Sequence, residues 1–201
     1  KMSEIRPQLE PRQALQDRVS SVILDAAARV LAAEGEQASM SEVAVAAGVA
    51  RATVYRYFPT RQALLDRLLE IATADARARL SAARVDAVRP EEALRRAVGA
   101  LLDVGDYFVV LARERPGADS HEFTSGIGGP LRRVVEQAQA TGGVRRDIPS
   151  SWLVEFLVRL VTTAVAASPT MGRDDMVDLV VSLFFDGARQ RPARRQPRRS
   201  T

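Results

Sequence analysis

Apolar residues recur at spacings of three and four along nearly the whole chain, and glycines and prolines cut the runs. That period follows the helical turn rather than the two-residue alternation of a strand, so each segment between breaks is expected to bury one stripe of a helix. The clearest stretch lies between Asp17 and Glu34, where Val19, Val22, Ile23, Ala26, Ala27, Val30 and Leu31 form a stripe. Composition points the same way: 46% of residues are apolar but only 5% aromatic, with Ala, Val and Leu carrying the load. The expected fold class is all-α, and 201 residues suffice for a core without metal or disulfide staples.

The breaks divide the chain. Residues 1–16, with Pro7 and Pro11 and no sustained period, read as a flexible arm. Gly35 stops the first helix, and Ser39 with Glu42 has the capping-box spacing that opens a second, ended by Gly48. Gly48 can take the left-handed conformation of a tight turn, Val49 can plug that turn, and Arg51 to Phe58 form one short helix closed by Pro59. Thr60 caps a long fourth helix that reaches about Ala83. A fifth helix is expected from Pro90 to Arg115 with Leu94, Val98, Leu101, Leu102 and Phe108 inward, then a glycine-rich loop to Gly129. Helices over Pro130–Thr141, Pro149–Ala167 and Asp174–Arg189 follow. The expected organisation is an arm (1–16), a compact helical domain (17–69), a second, larger helical domain (84–190), and a disordered tail (191–201).

Charge has to be divided before it is interpreted. The formal net charge is +4, from 29 basic and 25 acidic residues, but Arg189–Thr201 holds six arginines and no acid. Removing it leaves 23 basic against 25 acidic residues, so a nucleic-acid surface has to be local. One exists. Between Gly48 and Gln62 there is no acid and there are three arginines, Arg51, Arg56 and Arg61.

Ser39 to Phe58 has the shape of a helix-turn-helix, whose second helix must be short and exposed enough to enter a major groove roughly 12 Å wide. Two phenolic hydroxyls, on Tyr55 and Tyr57, lie two residues apart beside arginines, which suits phosphate contact, whereas Phe58 suits packing. Ala52 can offer only a methyl contact to thymine, which leaves Arg51 as the candidate reader of base edges.

Val43-Ala44, Gly48-Val49, the run Thr53-Val54-Tyr55-Arg56-Tyr57-Phe58-Pro59-Thr60-Arg61 and Leu64 together resemble the DNA-binding signature of the TetR family of bacterial transcriptional regulators. The resemblance covers about Arg18 to Leu69. It implies that Thr53, Tyr55 and Tyr57 bond phosphates, that Arg51 and Ala52 approach base edges, that Arg61 adds a phosphate contact, and that Ser39 and Ser41 touch the DNA backbone from the second helix. Two positions depart from the family pattern: Ala50 stands where serine is common and forfeits a cap, and Arg61 replaces the usual lysine while keeping its charge. The family further implies a homodimeric, ligand-responsive repressor on a palindromic operator.

In the C-terminal half, Tyr107, Phe108, Phe123, Trp152 and Phe156 are candidates to line a pocket for a small apolar or aromatic effector, although core packing explains each equally well. Trp152, Phe156, Leu160, Met176, Leu179, Val180, Leu183 and Phe184 give the last two helices more apolar surface than one buried face requires, so pairing with a second copy is expected. Arg159 is expected to pair with Glu155 one turn earlier. The chain holds no cysteine and a single histidine, His121, with no metal-ligand spacing, so an enzyme, a metal site or another cofactor is not expected. No run of about 18 apolar residues could span a bilayer, and the expected location is the cytoplasm, at the nucleoid. The competing expectation is a ligand-independent nucleic-acid-associated protein that uses its arginine-rich tail as an electrostatic tether.

Overall fold

The structure, a computed structural model, describes residues 6–114, 124–167 and 171–189. Apart from turns and short connections they are helical, with one isolated β-bridge between Val144 and Arg189 and no strand among the described residues. The helices are α1 (Arg6–Glu34), α2 (Met40–Ala47), α3 (Arg51–Tyr57), α4 (Arg61–Ala82), α5 (Pro90–Leu102), α6 (Asp106–Glu114), α7 (Gly129–Ala140), α8 (Ser150–Ala166) and α9 (Arg173–Ala188). No helix among the described residues is long and apolar enough to cross a membrane.

The chain divides into two compact units. The first takes the described residues up to Ala76 together with Val104–Glu114, and the second takes Arg77–Asp103 with the described residues from 124 onward.

In the first unit α1 packs on α2 and α6, and α2 packs on α3. The core is built from Ile23, Ala27 and Leu31 of α1, Val43 of α2, Val54 of α3, Leu64 and Leu68 of α4, and Phe108 and Leu111 of α6, all buried. Two expectations change here. The helix begins at Arg6, so residues 6–16 of the expected arm are helical. Pro7 falls in the first turn, where its missing N–H would have lacked a helical partner in any case. Val22, expected inward, is exposed, while Leu24 and Ala28 are buried. The buried stripe is thus rotated by a fraction of a turn, which the run Val-Ile-Leu does not disclose.

The expected fifth helix is two helices. Gly105 adopts φ +63, a left-handed conformation that costs glycine little, and its carbonyl accepts from the N–H groups of Phe108 and Val109 at the start of α6. The apolar stripe continues across this break, so periodicity alone merges α5 and α6. Consequently Phe108, expected on the same face as Leu94, belongs to the first unit.

In the second unit α5 is central, packed against α7, α8 and α9. Pro90 occupies its first turn with Glu91 and Glu92 beside the positive end of the helix dipole. Leu94, Val98 and Leu101 meet Leu131 and Val135 of α7, Leu157 and Val161 of α8, and Val180 and Phe184 of α9 in a buried core. Arg173, the first residue of α9, donates to both oxygens of Asp103 at the end of α5, Nε at 2.6 Å and Nη2 at 2.7 Å. This pair ties α9 to α5 and holds the Asp103 carboxyl below the usual carboxylate range.

Candidate nucleic-acid interface

Each part of the α2–turn–α3 segment has a local cause. Ser39 caps α2 through a complete capping box: its Oγ accepts from the Glu42 N–H at 3.2 Å, and its own N–H donates to Glu42 Oε2 at 2.7 Å. The Ser39 hydrogen bonds hold the Glu42 carboxyl below its ordinary value. At the other end Gly48 stands at φ +66, ψ 30; its N–H donates to Val45 O at 3.1 Å, and the Val49 N–H donates to Ala44 O at 3.0 Å. These two bonds make a Schellman turn, which closes α2 and redirects the chain into α3 within three residues. Ala50 then stands before α3 with no side-chain cap, as its identity requires.

Val54 and Phe58 anchor α3, both buried, so Phe58 is a packing residue. The opposite face is polar and open: Arg51, Ala52, Tyr55 and Arg56 are exposed, with Thr53 and Tyr57 half-buried. Arg51 Nη2 donates to the Tyr55 hydroxyl at 3.3 Å, and its guanidinium lies 5.3 Å from the Tyr55 ring centroid. Arg56 sits in the same way 5.4 Å from the Tyr57 ring. Two cation–π pairs thus hold two guanidinium groups on the outer side of a seven-residue helix.

The flanks complete this surface. Thr60 Oγ1 accepts from the Ala63 N–H at 3.0 Å and starts α4. Arg61 is half-buried and donates through Nη2 to Gly35 O at 3.4 Å, a contact across 26 positions that the sequence did not signal. One N–H direction of this guanidinium is therefore used inside the unit. Ser39 is exposed and Ser41 half-buried on α2; Val45, one turn after Ser41, is exposed as well. The run Val43-Ala44-Val45 does not disclose which valine points inward.

The aromatic candidates fall in different units. Tyr107 and Phe108 lie in the first unit, where Phe108 is fully buried and the Tyr107 hydroxyl donates to Asp25 Oδ1 at 2.8 Å. Trp152 and Phe156 lie on α8 at 62% and 50% exposure, with ring centroids 6.3 Å apart. Phe123 lies outside the described residues, as do His121 and the basic tail from position 190. Aromatic side chains on a mixed apolar stripe serve core and surface alike, and here Phe108 is core while Trp152 and Phe156 are surface. A mostly apolar cavity of about 270 Å³ does occur, lined by Leu102, Val165, Met171 and Met176 with Asp103 and Arg173 at its polar edge.

The expected association surface is divided as well. Leu179 and Leu183 are 42% and 52% exposed on α9, beside the exposed Trp152 and Phe156 of α8, with Leu160 and Met176 half-buried. Val180 and Phe184 are buried and pack inside the unit, so they leave the expected set. Arg159 Nε donates to Glu155 Oε1 at 3.0 Å, as the spacing predicts.

Residues 23–68 match the family described as "Bacterial regulatory proteins, tetR family". Over 172 residues the chain is 29% identical to the HTH-type transcriptional repressor LfrR of Mycolicibacterium smegmatis, covering 85% of this chain and 90% of that protein. The crystal structure of the TetR-like regulator LfrR from Mycobacterium smegmatis in complex with proflavine is similar at a TM-score of 0.64 and 28% identity, covering 88% of this chain and 99% of LfrR. The fatty acid degradation regulator FadR from Bacillus halodurans shares the fold at a TM-score of 0.59 and 21% identity, over 86% and 97% of the two chains.

Proposed function

We propose that the chain, whose residues 23–68 match the TetR family of bacterial regulatory proteins and which is similar over most of its length to the repressor LfrR, is a DNA-binding transcriptional regulator rather than an enzyme and acts as a homodimeric, ligand-responsive repressor on a palindromic operator. The observation that carries this reading is the outer face of α3, where Arg51 and Tyr55 stand exposed and paired on a helix fixed from behind by Val54 and Phe58. In this reading Tyr55, Tyr57 and Thr53 bond phosphates, Arg51 and Ala52 meet base edges, and Ser39, Ser41 and Arg61 position the backbone.

Association follows from the apolar surface left on α8 and α9. Trp152, Phe156, Leu179 and Leu183 lie exposed on two adjacent helices, and pairing them with the same helices of a second copy buries them in a four-helix contact. A twofold pair of recognition helices then reads two half-sites about 34 Å apart, or a multiple of that.

The effector is proposed to be a small molecule with an apolar or aromatic body, taken by the second unit. Support comes from the apolar cavity beside Met171 and Met176 and from the proflavine complex of LfrR. Titrating a protein–operator complex with proflavine in a mobility-shift assay tests the ligand part: release of the DNA is expected. Proflavine that binds the protein without loosening the DNA would refute ligand-driven release by this compound.

A further inference from the structure

Away from α3, the second unit carries a cleft of about 240 Å³ between the end of α4, the 3-10 turn Val85–Ala87 and the start of α7. Three arginines line it, Arg77, Arg84 and Arg133, with the Ser81 hydroxyl and a single acid, Asp86. Asp86 is already committed, because its two oxygens accept from Arg133 Nε and Nη2 at 3.2 and 3.3 Å. Among the described residues neither Arg77 nor Arg84 has an ion pair or a side-chain hydrogen bond, so the lining carries two positive charges beyond its acid.

Arg84 stands where another residue would sit more easily, and Arg77 is closely approached by its neighbour. Arg84 adopts φ 48, ψ 48, and it is the one non-glycine residue at positive φ among the described residues. It follows the end of α4, where glycine takes this conformation without a Cβ penalty. Arg77 runs along the π-helical turn Thr124–Gly128: a Cβ at Gly126 would stand 3.1 Å from Arg77 Cδ, so the glycine lets the turn approach the arginine stem without displacing it. Leu80 and Val85, both buried, form an apolar floor beside these charges.

We propose that this cleft is a binding site for a small oxyanion of the phosphate-monoester class, held by the guanidinium groups of Arg77 and Arg84 with Ser81 as a further donor. Each guanidinium offers N–H pairs that match two oxygens, and a dianion balances the surplus charge of the lining. The floor of Leu80 and Val85 accepts a short ester body. The site is separate from the outer face of α3, and the proposal does not rest on the regulatory reading.

Calorimetric titration of the full chain with inorganic phosphate and with phenyl phosphate, at ionic strength fixed with potassium chloride, tests it. Arg77→Gln and Arg84→Gly are the variants. Arg84→Gly relaxes the left-handed residue, so it is expected to melt close to the parent, and a loss of binding in it is not a loss of fold. Saturable binding of at least one anion is expected, weakened about tenfold by either substitution. Phosphate alone would identify the free ion as the ligand, and tighter binding of phenyl phosphate would identify an ester. Heats that never saturate, or saturable binding that both variants leave unchanged, would overturn the assignment.

Discussion

Replacing Tyr55 by phenylalanine removes one hydroxyl and leaves the ring beside Arg51 in place, so α3 keeps its shape and loses the proposed phosphate donor. The expected result is a loss of about tenfold in affinity on every duplex alike. Arg51→Ala is expected to weaken binding by a similar factor and in addition to flatten the preference among sequences, because the proposed base-edge donor is lost. Competition titrations with matched and mismatched duplexes separate the two; equal preference profiles for Arg51→Ala and the parent would refute base reading by this residue. In the same unit the Tyr107 hydroxyl is held protonated far above its ordinary range by burial and then by the Asp25 carboxylate that accepts from it. From neutral pH to about pH 10 the contribution of Tyr107 is therefore constant, and it is lost as pH rises further through the raised folded value. Tyr107→Phe is expected to lower stability by about 1 kcal/mol at neutral pH in urea titrations. These residue-scale roles were legible to different degrees. The arginine-rich, acid-free run from Gly48 to Gln62 marks the outer face of α3 directly, whereas the Tyr107–Asp25 bond spans 82 positions and leaves no local pattern.

At the scale of elements, helix boundaries with a chemical cause were readable: the Ser39–Glu42 box, the left-handed Gly48 and the Thr60 cap all stand where their side chains predict. Boundaries without one were not. The break between α5 and α6 turns on Gly105, and a glycine inside an otherwise continuous apolar stripe is also tolerated within helices. That single φ angle decides that Phe108 packs with α1 rather than with α7 and α8. The Arg173–Asp103 pair, which fastens α9 to α5, gives a pH prediction. The Asp103 carboxyl is held below its ordinary value by the Arg173 hydrogen bonds, so its contribution is complete above the ordinary carboxylate range and is lost as pH falls through that range to the lower folded value. The pair is partly exposed, and its worth is under about 1 kcal/mol. Asp103→Asn should therefore melt slightly below the parent at neutral pH, with the two curves converging toward pH 3. A constant gap down to that pH would mean that the charge of Asp103 is not what the parent uses.

At the scale of the molecule, an all-α chain with a helix-turn-helix near its start was legible because helical periodicity is strong and the α2–α3 segment has few ways to pack. Which faces of α8 and α9 stay open was not, because both helices are apolar on more than one side; exposure sorts Leu179 and Leu183 outward and Val180 and Phe184 inward. The sorting predicts opposite outcomes for neighbouring substitutions. Leu183→Glu should leave a folded monomer in sedimentation velocity, since it places a charge in the proposed contact between copies. Phe184→Ala should cost about 3–5 kcal/mol of stability by opening a cavity in the unit's own core. A Leu183→Glu chain that remains dimeric would move the contact elsewhere. Whether a dimer reads DNA through α3 is decided by selecting bound duplexes from a random pool near physiological salt, where nonspecific binding is weak. The expected result is an enriched palindrome that both Tyr55→Phe and Arg51→Ala bind less well. A pool that shows no enrichment, with retention that disappears when residues 190–201 are removed, would contradict it and would favour an electrostatic tether.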